Sequence, residues 1–145
     1  MSFEWITAIV GSLIAGLVQG VVGFAFGLVA LSFFAFVLEP VPGVIVVTGL
    51  AFAFTLVGLL KLYREVEARA LQAFFVVNQG LILLGYGSAG LLTRNIALTT
   101  FLLGLPALVG FIVGWTLFGR VSEPRFRRIV LALLLIAGLT LGIRG

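Results

Sequence analysis

Between Trp5 and Leu38 the chain runs for 34 residues without a charged side chain, and no other feature constrains the fold as strongly. As one continuous helix this run would reach roughly 51 Å at about 1.5 Å per residue, well beyond the ~30 Å of hydrocarbon in a bilayer. It must therefore tilt, break or fold back on itself. Four further apolar runs follow at residues 42–60, 70–92, 96–118 and 126–143. Each reaches or approaches the ~20 residues needed for one crossing. With 62% of its residues hydrophobic and 10% charged, against roughly 25% charged in an average soluble domain, the chain reads as an integral membrane protein.

The expected fold is all-α, a polytopic membrane helix bundle of four to five spans with a broken or re-entrant first segment. Residues 1–145 are read as a single integral membrane domain, since no linker or low-complexity tract divides them. Pro40, Pro42 and Gly43 are expected to stop the first run, because Pro42 lacks a backbone donor and biases Val41 away from helix. Ser122, Glu123 and Pro124 read as a helix start.

Charge placement sets the expected topology. Lys61, Arg64 and Arg69 share one loop, and Arg120, Arg125, Arg127 and Arg128 another, so seven of the nine basic residues occupy two loops separated by two crossings. Both loops are expected to face the cytoplasm of a multi-pass protein of the cell inner or plasma membrane. MSFEW carries no Lys or Arg, so the first segment is expected to be retained rather than cleaved as a signal peptide. A re-entrant first pair starts the chain outside and leaves four crossings; a single kinked crossing starts it inside and leaves five.

Composition also removes whole classes of chemistry. Without Cys or His there is no thiol or imidazole nucleophile, no disulfide and no imidazole-based zinc site. All five glutamates lie at run ends or in loops, so none provides the intramembrane acid that proton-coupled cation export requires. No Ser sits in a Gly-x-Ser-x-Gly elbow. The chain is read as a non-enzyme without a cofactor. Its net charge of +4 is carried by short loops and fits orientation in a lipid bilayer rather than nucleic-acid binding.

The 19 glycines recur at helical spacing. Gly16, Gly110 and Gly114 are expected to let neighbouring backbones approach closely. The segment QGVVGFAFG (19–27) differs, with three Gly in eight residues at the middle of the overlong run. A break there would create two half-helices, tolerated in lipid only if buried in protein or lining a wet cavity. Free N–H groups and the positive dipole end of the second half-helix would then form an anion site. Gln19, Gly20, Gly23, Phe24 and Gly27 are the candidate substrate-binding residues of this segment. Asn78 and Gln79, an adjacent amide pair in the third run, are candidate donors; interhelical hydrogen bonding accounts for them equally well. Trp115 and the other interface-type aromatics are read as packing or boundary residues.

GSLIAGLVQGVVGFAFGLVALSFFAFVLEP (11–40) resembles the first-helix motif of the TauE/SafE sulfite-exporter family, and GLPALVGFIVGWTLFGRVSEPRFRRIVLALLLIAGLTL (104–141) is similar to its closing segment. Ala25 stands where the family element has Gly. Members are generally about twice this length and carry the Gly-rich element in both halves, so the chain resembles a half-length or internally shortened member. The resemblance implies secondary, ATP-independent transport of small anions such as sulfite, thiosulfate, sulfonates or related organic acids. A homodimer or a partner half-subunit would restore the second half-site. A parallel pair is expected, because inversion would put seven basic residues on the wrong side. Its two breaks would face each other near the midplane. The alternative is a non-transporting membrane subunit or anchor of a larger assembly.

Overall fold

The computed structural model describes residues 2–22, 26–61, 66–117, 120 and 122–144. These form six helices and, among the described residues, no strand: α1 (Phe3–Val22), α2 (Phe26–Phe34), α3 (Pro40–Lys61), α4 (Val66–Ser88), α5 (Arg94–Leu117) and α6 (Glu123–Arg144). The bundle is all-α as expected. Four of its helices, α1, α3, α4 and α5, are long and apolar enough to cross a membrane among the described residues.

The overlong first run is resolved by a reversal of direction. α1 ends at Val22 and α2 begins at Phe26. A Cβ at Gly11 of α1 would fall on the Phe33 side chain of α2, while Gln19 meets Phe26. These pairings run in opposite senses along the chain, so α1 and α2 form an antiparallel hairpin. α2 has nine residues, or about 13 Å at ~1.5 Å per residue, too short to cross a bilayer. It returns the chain part of the way, and residues 35–39 complete the return to the start of α3.

The remaining directions follow from facing residues. Gly49 of α3 lies by Thr100 of α5, Gly104 by Leu50, and Phe54 stacks on Phe111 with centroids 5.1 Å apart, so α3 and α5 are parallel. Gly16 faces Ala107 and Gly20 faces Phe111, so α1 runs parallel to both. α4 is antiparallel to α3, with Gly58 beside Gln72 and Gly80 beside Phe52. α1 therefore starts at the end of the bundle opposite the two basic loops, as in the re-entrant alternative. Unlike a re-entrant half-helix, α1 at 20 residues is itself of membrane-spanning length.

The carboxyl ends of α3 and α5 share one end of the bundle, which gives the topology a direct test. Single cysteines replacing the exposed Arg125 and Arg94 should label from opposite sides with an impermeant maleimide, Arg125→Cys only from the cytoplasm and Arg94→Cys only from outside. Labelling of Arg125→Cys in intact cells would reverse the assignment.

Two expected boundaries are corrected. The first run does stop before Pro40, but Val41 is helical: Pro40 opens α3 and Pro42 sits in its first turn. The first-turn N–H groups of a helix have no intrahelical acceptor, so losing a donor there is harmless and the fixed φ of Pro favours the start. The third run ends before Gly90, which adopts φ 72° just beyond α4. Leu91 N–H donates to Tyr86 O at 3.0 Å and Gly90 N–H to Gly87 O at 3.1 Å, a Schellman cap that needs the left-handed residue Gly supplies. Thr93 then caps α5, its Oγ1 accepting from Ile96 N–H at 3.4 Å.

The core gathers around α2, whose Phe26, Val29, Ala30 and Phe34 are buried. α2 packs against α1, α3 and α6. The tightest helix pair is α1 with α5. A Cβ at Gly16 would strike Ala107 O, one at Gly110 would strike Leu13 O and come within 2.8 Å of Leu17 N, and one at Gly114 would strike Leu17 O. The expected small-residue packing of Gly16, Gly110 and Gly114 is thus a seam in which two backbones meet without side chains between them.

Candidate functional site

The candidate site is the junction of α1 and α2. Gln19, in the last turn of α1, is 3% exposed, and its Oε1 accepts a hydrogen bond from Phe26 N–H at 3.0 Å. Phe26 N–H is the first of the four α2 donors that no intrahelical carbonyl can reach. The side-chain amide of one half of the hairpin therefore caps the other half. Its oxygen, negative in its bond dipole, sits at the positive end of the α2 dipole. Ser12 stands two turns before Gln19 on the same face of α1, fully buried, and its Oγ has no hydrogen-bond partner among the described residues.

An aromatic wall closes the junction on the α3 and α5 side. Phe26 and Phe54 have ring centroids 5.3 Å apart, Phe54 and Phe111 5.1 Å, and Phe111 and Trp115 5.8 Å. These rings also fix its depth. Phe54 is seven residues from Lys61 and Phe111 six from Leu117, or roughly 9–11 Å below the helix ends at ~1.5 Å per residue. The centre of α5 lies near residues 105–106. The junction therefore lies between the centre of the bundle and its basic-loop end, rather than at the midplane expected from the sequence.

The candidate residues separate into three groups. Gln19 and Gly27 are at the junction; Gly27 is half-buried in the first turn of α2, and a Cβ there would touch only Val47 Cγ1, at 3.8 Å. Gly23 and Phe24 lie outside the described residues. Gly20 belongs to the α1–α5 seam. A Cβ there would strike Phe111 O and approach Trp115 N within 2.7 Å, so its Cα faces a helix and leaves no room for a ligand on that side. The Gly-rich spacing of 19–27 thus merged two functions, close packing at Gly20 and the reversal after Val22.

Asn78 and Gln79 are not brought to the junction within the chain. α4 packs on α3, whereas α1 packs on α5 and α2. Gln79 is half-buried with its Oε1 enclosed and unpartnered among the described residues, whereas Asn78 is exposed. Sequence reasoning missed Phe26, Phe54 and Phe111 at the junction, and Ser12 two turns away from it on the same face of α1. The position of Ser12 seven residues before Gln19 was the available signal; the aromatic wall joins three distant helices and left none.

An apolar groove lies elsewhere. It encloses about 610 Å³ between α3 and α5 and is lined by apolar and small residues such as Gly49, Ala53, Ala97 and Gly104. Among the described residues no group of three or more acidic, His or Cys side chains is placed to hold a metal ion. No family model, curated protein or solved structure matches this chain.

Proposed function

We propose that the chain is a secondary transporter of small anions in a cell membrane, with substrate bound where α1 gives way to α2. The observation that carries this reading is the Gln19 Oε1 to Phe26 N–H bond. It places a neutral acceptor where an anion would gain most, at the amino end of a helix inside the bundle. Gln19 carries both acceptor and donor groups. Rotation of its amide would free Phe26 N–H for an anion oxygen and turn the side-chain NH₂ toward the same anion. Gln19 thereby stands in for substrate when the site is empty. The resemblance of segments 11–40 and 104–141 to sulfite exporters adds sulfite, thiosulfate and sulfonates as the substrate class.

A second reading, a non-transporting membrane subunit, draws on the aromatic wall around Phe26, which favours a purely structural hairpin. Flux separates the two. Proteoliposomes holding the purified chain should take up sulfite or a small sulfonate, and Gly23→Val should abolish uptake while leaving insertion intact, because a β-branched side chain removes backbone freedom from the Gly-rich 19–27 segment. Absence of flux from the wild-type chain, or full flux in Gly23→Val, would overturn the transport reading at this site.

A further inference from the structure

We propose that α4 is a dimerisation helix, pairing in parallel with α4 of a second copy of this chain through the side-chain amide of Asn78. Asn78 lies 12 residues after Val66 and 10 before Ser88, about 18 Å and 15 Å from the two ends at ~1.5 Å per residue, and so at mid-depth. It is exposed on the outside of the bundle, and its side chain has no hydrogen-bond partner among the described residues. A primary amide facing hydrocarbon tails at this depth leaves its donors and acceptor unsatisfied, which is unfavourable unless another polar group meets it.

The surroundings are arranged for such a meeting. Leu71, Phe74, Asn78, Leu81 and Gly85 follow one another at alternating three- and four-residue steps, the spacing of a coiled-coil seam with a single polar position at its centre. Leu71, Phe74 and Leu81 are 50%, 64% and 64% exposed. A Cβ at Gly85 would meet nothing within 4 Å, so the lower part of the seam is open to a close partner. The buried side of α4 is a different face, where Gln72 and Gly80 meet α3.

A second copy is the occupant that the chemistry selects. An amide is self-complementary, since its NH₂ donates where its carbonyl accepts. A twofold axis along the membrane normal brings equal depths together, so Asn78 faces Asn78 of the second copy. The two basic loops hold both copies in the same orientation. Acyl chains offer the amide no partner. The inference does not rest on transport, and its readout is dimer formation rather than flux.

The absence of native Cys permits a clean test. In native membranes, Phe74→Cys and Leu81→Cys should form disulfide-linked dimers on oxidation, at twice the 15.4 kDa of the chain. Leu102→Cys and Val109→Cys, on the exposed face of α5 (54% and 55%), should remain monomeric. Adding Asn78→Leu to Phe74→Cys should lower the linked fraction about tenfold at limiting expression, whereas Asn78→Gln, which keeps the amide, should restore it. Absence of linkage at both α4 positions, equal linkage at the α5 positions, or a linked fraction unchanged by Asn78→Leu would each overturn the proposal. The four-position pattern decides the matter even if the Asn78 variants fail to accumulate.

Discussion

Replacing Gly110 by Ala is expected to destabilise the bundle by about 3 kcal/mol, at the upper end of the usual range for overpacking, and Gly110→Leu is expected to prevent its assembly. The new Cβ would strike Leu13 O and stand 2.8 Å from Leu17 N. Both atoms belong to the main chain of α1, so no rotamer change relieves the clash and the helices must separate. Separation would spread along the seam, because Gly16, Gly20 and Gly114 make the same kind of approach. Gly138→Ala provides the contrast, since a Cβ there meets nothing within 4 Å; it should be neutral or slightly stabilising. Unfolding in mixed micelles of increasing SDS content measures both. Equal midpoints for Gly110→Ala and Gly138→Ala would contradict the seam.

The second large effect is expected at Gln19. Gln19→Leu removes the acceptor of Phe26 N–H and leaves a buried donor unpaired, an expected loss of about 1–3 kcal/mol. Gln19→Glu keeps an acceptor in place and adds a negative charge at the amino end of α2, which that end stabilises. The two variants separate structure from transport. Gln19→Leu should lower both stability and flux. Gln19→Glu should keep the hairpin but abolish anion uptake if the proposed site is correct, because its carboxylate would occupy the proposed substrate position and cannot turn from acceptor to donor. Uptake by Gln19→Glu at the wild-type rate would exclude Gln19 from the anion path.

The broad architecture was legible because membrane thickness is a hard limit. A 34-residue apolar run could not be one simple span, and the structure resolves it as the α1–α2 hairpin. The seam at Gly16, Gly110 and Gly114 was legible from i,i+4 spacing alone. Gly20 was harder, since a glycine that admits a neighbouring helix and one that lets the chain turn look identical in sequence; only Phe111 O beside it distinguishes them. Pro40 and Pro42 misled for a related reason, because a proline that ends one helix also suits the first turn of the next. Asn78 and Gln79 are adjacent in sequence, yet about 100° of helix rotation gives them different surroundings. The depth of the junction depended on rings contributed by α2, α3 and α5, which no local pattern encodes.

The α1–α5 seam also has a consequence in time. Its two halves, ending at Val22 and Leu117, are separated by 95 residues, and at roughly 5–20 residues per second a ribosome needs about 5–20 s to deliver the second after the first. During that interval the glycine face of α1 has no partner and borders lipid or the insertion machinery. The α1–α2 hairpin, closed locally by Gln19 and Phe26, is the contact of the first helix that can form before α5 is made. The contact between residues seven apart thus precedes in synthesis the one between residues 91 apart, Gly16 and Ala107.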